Sequence, residues 1–237
     1  MSKKKRVLTF IVTTFCFIGL ITTLVLMIKW KSDVKANSLI KKETEEYIEI
    51  DNQNIIDINF SELKKINSDT VGYLEVPNVN LKYVVVKGKD NSYYLTHNFN
   101  KDHNRAGWIF MDYKNRVDGN DNNIVIYGHD TSDGSMFGSL SKLLDKKRLK
   151  SEEDLIINFI TEQGYKKYKI FSIYTIKPED YYITTLFKEN EFEKFKNKIK
   201  ERSIIKIDVD LKNKNIITLS TCQNHGVKRL AVHAVEV

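Results

Sequence analysis

Cys222 closes an apolar run, 216–222 (IITLSTC), in which branched side chains give way to Ser220, Thr221 and then a thiol. A nucleophile at the end of a strand rests on a rigid element while staying open to a substrate at the rim. A polar turn, 223–227 (QNHGV), follows, and Lys228 and Arg229 then open a last run, RLAVHAVEV. If the two runs are adjacent antiparallel strands, Arg229 stands beside Cys222. A guanidinium there would favour the thiolate and stabilise an oxyanion on a tetrahedral intermediate. Lys228 suits that task less, because an ammonium on a flexible stem lacks the fixed fork of donors. The proton carrier must come from the five histidines. His129 follows an apolar run and a glycine in NNIVIYGHD, again at a strand end, and His225, three residues after Cys222, is its local competitor. His97 and His103 sit in a polar segment where a solvated imidazole is ordinary, and His233 alternates within the last run as an outward or a core residue. Thiol, imidazole and guanidinium together would perform acyl transfer, whereas the thiol alone is equally a small buried hydrophobe. No paired His and Cys occur at zinc spacing, so neither metal nor cofactor is expected.

The segments that must position these groups are short and rich in β-branched and aromatic residues, bounded by Asn, Asp or Gly. They span 72–76, 81–87, 107–111, 123–127, 155–160, 165–176, 204–209, 216–220 and 229–235. So many short strands predict a closed barrel or a sandwich. Two helical insertions interrupt them: 135–144 (SMFGSLSKLL), and 189–202, which carries Phe192, Phe195 and Ile199 on one face with mixed charges opposite. Ahead of the strands, residues 32–66 place Leu39, Ile40, Tyr47 and Ile48, then Phe60, Leu63 and Ile66, at helical spacings, as a stalk would. With two prolines, ten glycines and no Pro/Gly/Ser-rich linker in 237 residues, one compact domain with appendages is expected.

Residues 7–28 form 22 residues without a charge or a proline, enough at ~1.5 Å per residue to cross a hydrocarbon core of ~30 Å. Lys3, Lys4, Lys5 and Arg6 precede the run, which favours a cytoplasmic N-terminus with the remainder outside. A cleaved signal peptide is the alternative. Against it, the run exceeds the usual ~7–15 residues and no small-x-small site follows closely. The net charge of +7 is mainly this flank: residues 1–31 hold six Lys or Arg and no acid, and removing them from 38 leaves 32 basic against 31 acidic residues. A near-neutral remainder argues against a nucleic-acid partner. Cys16 lies inside the apolar run, so Cys222 is the one thiol of the exported part and has no intramolecular disulfide partner there.

Several separated blocks, in order, resemble the sortase superfamily, and class B sortases in particular. They are 69–95 (DTVGYLEVPNVNLKYVVVKGKDNSYYL), 106–115 (AGWIFMDYKN), VIYGHD with GSMFGSL after it, and TLSTC with the downstream Arg. The helix-bearing insertion between Tyr174 and Ile204 is similar to the class B loop that helps to bind substrate. The resemblance spans about 66–237. It implies a mainly β fold: a closed eight-stranded sortase-type barrel with N-terminal helices and a helical insertion, preceded by one transmembrane helix. On this basis residues 1–6 are a cytoplasmic basic tail, 7–28 the membrane anchor, 29–66 the helical stalk and N-terminal helices, and 67–237 the catalytic domain.

Carried onto this chain, the resemblance implies Cys222 as nucleophile, His129 as general acid and base, and Arg229 as the oxyanion-stabilising cation. Asn91, Leu95, Tyr182, Ile183 and Ser220 would line the substrate groove, although the tyrosine and Leu95 equally suit ordinary packing. The implied partners are secreted proteins bearing a C-terminal sorting signal, a peptidoglycan amine and the membrane. The motif would be Asn-Pro-x-Thr or Ser/Pro-Pro-x-Thr rather than Leu-Pro-x-Thr-Gly. Relatives often carry an acid two positions after the cysteine, where this chain has Asn224. Three rivals differ in chemistry: a pilin-polymerising sortase with a lysine acceptor, a hydrolytic cysteine protease, and a catalytically silent tethered binding module.

Overall fold

A computed structural model describes residues 3–50, 56–145, 155–178, 181–222 and 228–237. Helix α1, Lys3–Glu45, runs unbroken through the apolar segment and into the domain. It is long and apolar enough to cross a membrane, and its apolar side chains face outward, with Phe10 and Phe15 each 72% exposed. Such a surface calls for lipid rather than water. The end of α1 docks on the domain. Asn37 Nδ2 donates to the Gly107 carbonyl at 2.9 Å, Asn104 Nδ2 donates to the Asp33 carbonyl at 2.8 Å, and Arg105 pairs with Asp33 at 2.8 Å.

Tyr47 and Ile48, expected on one helix face with Leu39 and Ile40, lie beyond the end of α1. Strands β1, Ile48–Ile50, and β2, Ile56–Ile58, pair antiparallel before the short helix α2, Phe60–Ile66. Asn59 caps α2 by accepting the Glu62 amide at 3.2 Å, and Lys64 and Lys65 occupy its last turn, where the helix dipole favours cations.

The remaining strands close a barrel: β3 (Thr70–Val76), β4 (Leu81–Val86), β5 (Phe110–Met111), β6 (Asn123–His129), β7 (Ile156–Thr161), β8 (Gly164–Ile176), β9 (Ile216–Cys222) and β10 (Arg229–Glu236). Around the barrel the order is β10, β8, β7, β3, β4, β5, β6, β9, and β9 pairs β10 to close it. The β4–β5 and β6–β9 contacts are parallel and the other pairings antiparallel. Eight of the nine expected strands are present. The ninth, 204–209, forms no ladder and makes one backbone bond to the barrel, Ile204 N to the Ile173 carbonyl at 2.8 Å. Its alternating pattern is that of a strand, and β8 leaves an edge open beyond Lys169, where its pairing with β7 ends, but the segment meets that edge at Ile204 without extending into a ladder. The helix expected at 135–144 is a 3-10 turn over Gly138–Leu144, entered through Met136 at φ 46°.

Side chains of the barrel strands alternate between two cores. Ile217, Leu219, Leu230, Val232 and Ala234 fill the interior. On the outer face, Ile216, Ala231, Val235, Phe171 and Tyr174 pack under the insertion, which contributes Tyr182 and helix α3, Glu191–Glu201, through Phe195 and Ile199. The charged face of α3 also gives the interior Lys196, fully buried. Its Nζ donates to the carbonyls of Leu211 and Lys214, pairs with Glu193 at 2.7 Å and lies 4.4 Å from the Phe192 ring centroid. A buried ammonium persists only with such partners, so Lys196 ties α3 to the turn that precedes β9.

Candidate active site

Parallel pairing of β6 with β9 carries both strand ends to one rim of the barrel, and the Cα register sets His129 directly beside Cys222. In the antiparallel pairing of β9 with β10, Ala231 stands opposite Ser220; Cys222 ends β9 two positions beyond Ser220, and Arg229 begins β10 two positions before Ala231. Leu230 N donating to Thr221 Oγ1 at 2.9 Å extends the contact to that end. Three residues scattered over a hundred positions thus meet at one corner, made by three neighbouring strands.

Alternation assigns the faces. Thr221 and Leu219 turn inward, while Thr218 and Ser220 belong to the outer face, beneath the insertion. Position 222 falls in register with that outer row, and position 229 with Ala231 and His233.

His129 is 6% exposed, and its Nε2–H donates to the Leu95 carbonyl at 2.7 Å. That bond fixes the ring and leaves Nδ1 as the basic nitrogen of the neutral imidazole. Glycine is required on both sides of it. Gly107 has φ 60°, and a Cβ there would lie 2.9 Å from the Leu95 carbonyl and 3.0 Å from His129 Cδ2. A Cβ on Gly128 would collide with Ile109 and Phe137. Because Asn37 of α1 holds the Gly107 carbonyl, α1 braces the segment on which the imidazole rests.

The residues expected to line a groove are unevenly distributed. Ser220 and Tyr182 are fully buried and share a hydroxyl–hydroxyl bond of 2.9 Å, which places the insertion against the residue two positions before the thiol. Ile183 is partly buried against both cores, and Leu95 is partly buried beside His129. Asn91 is more remote: its Nδ2 donates to Asp112 Oδ2 at 2.8 Å and its Oδ1 accepts the Tyr113 amide at 3.0 Å. The same Asp112 oxygen accepts from Tyr127 Oη at 2.7 Å, and Tyr127 is the register partner of Ser220. His97 and His103 pair with each other in a bridge away from this corner, with ring centroids 5.8 Å apart. Asn224 and the competitor His225 lie outside the described residues.

One buried polar chain was not foreseen. His233 accepts or donates at both ring nitrogens, to Thr218 Oγ1 at 2.8 Å and Tyr174 Oη at 2.9 Å. Thr218 in turn donates to Asn123 Oδ1 at 2.8 Å, and Asn123 Nδ2 reaches the Thr184 carbonyl of the insertion at 2.8 Å. Thr218 and His233 occupy opposing outer positions of β9 and β10, a pairing that only the register reveals. Complete burial pushes the His233 imidazole down from 6.5 to about 3. The unfolded state then binds one proton more than the native state between those values, so stability falls as pH drops from 6.5 toward 3. Relative to a His233→Gln variant, wild type is expected to lose on the order of 1.4 kcal/mol per pH unit in that window, read from denaturant midpoints across pH. Parallel curves for the two proteins would contradict it.

The family model of the sortase domain matches residues 74–237. The chain belongs to the sortase family. It is 41% identical over 165 residues to sortase B of Listeria monocytogenes, covering 68% of this chain and 65% of the relative. It is 36% identical over 180 residues to sortase B of Staphylococcus aureus, covering 74% and 73%. The alignment with the Listeria sortase thus spans just under two thirds of that protein's length. Among solved structures, sortase B of Bacillus anthracis in complex with AAEK1 superposes with a TM-score of 0.77 at 34% identity, over 87% of this chain and 98% of that one. The expected class B membership and the eight-stranded sortase barrel are both met.

Proposed function

We propose that this chain is an anchored cysteine transpeptidase that cleaves a C-terminal sorting motif after Thr and joins the released protein to a peptidoglycan amine. The observation that carries the proposal is the register pairing of His129 with Cys222, with Arg229 in line on the adjoining strand. The Cys222 sulfur attacks the Thr carbonyl, and the oxyanion is held by the Arg229 guanidinium. His129 Nδ1 takes the proton of the Cys222 thiol as the sulfur attacks and delivers it to the departing amine, and a thioester remains on Cys222. An incoming amine attacks the thioester, His129 takes its proton, and the new amide leaves with the thiol restored. The outward α1 suits a single-pass anchor with its basic N-terminus inside.

The test is a peptide panel containing Asn-Pro-x-Thr, Ser/Pro-Pro-x-Thr and Leu-Pro-x-Thr-Gly sequences, each with and without an amine acceptor. Cleavage after Thr with the amine joined to the new end, and faster for the first two motifs, is the expected product pattern. Cleavage that yields only free acid whatever the amine would instead mean a protease.

Gly107→Ala probes the brace behind His129. The strained backbone and the close Cδ2 contact should move the imidazole, and a displacement of ~1 Å can cost about 100-fold in rate. Steady-state kinetics should show that fall in kcat with KM little changed, in protein whose thermal transition is still cooperative. Activity within two-fold of wild type would mean the ring is not held from this side.

A further inference from the structure

We propose that the cleft between α1 and the barrel, just beyond the apolar segment, is a binding site for a phosphate ester with a neighbouring hydroxyl, as in a glycerophosphate headgroup at the membrane surface. The cleft has a volume of about 720 Å³, within the range of small-molecule sites. It lies outside the catalytic corner, bounded by one face of α1 and by the 132–135 segment. At ~1.5 Å per residue, Lys31 and Lys35 stand roughly 5 and 10 Å past the end of the apolar run, at the level of headgroups.

Its charge is one-sided. Lys31, Lys35, Lys41 and Lys142 line it against a single carboxylate, Asp133. Asp133 already accepts from the Ser135 amide at 3.1 Å and the Ser135 hydroxyl at 2.8 Å. Lys41 is engaged, 3.5 Å from Glu45 and 5.0 Å from the Tyr83 ring centroid. Among the described residues, Lys31, Lys35 and Lys142 pair with no carboxylate. Three uncommitted ammonium groups converging from two elements on one cavity match a phosphate.

A second observation concerns the hydroxyl. Asn37 also lines the cleft and is 2% exposed. Its Nδ2 is occupied by the Gly107 carbonyl and by Asn104 Oδ1 at 3.4 Å, but its Oδ1 has no donor among the described residues. A buried acceptor without a donor is uncommon, and an ionised phosphodiester offers none. A headgroup hydroxyl would supply it.

The experiment is native mass spectrometry on the full chain released from detergent, titrated with phosphatidylglycerol, phosphatidylcholine or free glycerol phosphate. Phosphatidylglycerol should be retained at least about 10-fold better than phosphatidylcholine, since each lysine near an anionic headgroup adds appreciably. Combined Lys31→Gln, Lys35→Gln and Lys142→Gln should erase that preference, while Lys65→Gln, Lys114→Gln and Lys212→Gln together should keep it. Competition by glycerol phosphate would identify the headgroup alone as the ligand, and retention of the lipid only would add its acyl chains; either supports the site. A preference that survives the first triple variant would place the lipid around residues 7–28 and overturn the proposal, as would equal losses in both triples. Because lipid retention is read without turnover, the result is independent of the proposed reaction.

Discussion

Cys222→Ala should fold, bind a sorting peptide and transfer nothing, with a fall in kcat of at least about 10⁴-fold. The expectation rests on the thiol being the atom that bonds to substrate, at a strand end paired with His129. His129→Ala should cost a similar amount, because a nucleophile and its proton carrier act as one unit. The double variant should then be barely worse than either single one, a grossly non-additive result. Turnover and peptide affinity must be measured together. Lost turnover with retained affinity in Cys222→Ala supports the reaction proposed, whereas wild type that binds peptide and never turns over would describe a silent binding module.

Arg229→Ala should lower kcat by about 10²–10³-fold, the loss typical of removing one oxyanion donor. Arg229 begins β10 and pairs in register with Ile176 of β8, so its backbone is held by a ladder rather than by a loop. Arg229→Lys keeps the charge and discards the planar fork, and it should recover only part of the loss. The effect should appear in kcat more than in KM, since the guanidinium acts on charge that develops after binding. Full activity in Arg229→Lys would reduce the role to simple charge, and full activity in Arg229→Ala would remove it from the mechanism.

The elements around the site were legible in the sequence because their patterns are local. Runs such as NIVIYGH and IITLSTC are too short and too β-branched to be anything but strands, and each ends on its chemical residue. The β9–β10 pairing follows from two apolar runs that are adjacent in the sequence. The parallel pairing of β6 with β9 does not, because 86 residues separate His129 from Ile216 and nothing local specifies such a contact; there the family resemblance carried the expectation. Local patterning also misleads where neighbours decide the outcome. Residues 204–209 alternate like a strand but form no ladder, and of 107–111 only Phe110 and Met111 join the barrel, since Gly107 turns at φ 60°. The chain of Asn123, Thr218, His233 and Tyr174 was invisible for a related reason: its members are ordinary polar residues until register and burial bring them together.

The most direct test of the account is the intact mass of the full-length protein mixed with an excess of sorting-motif peptide, first alone and then with an amine. The account predicts an added mass equal to the peptide up to its Thr, mapped to Cys222, and discharged by the amine into a new amide. An unchanged mass across the panel while the peptide is cleaved, or an adduct on any residue other than Cys222, would contradict it.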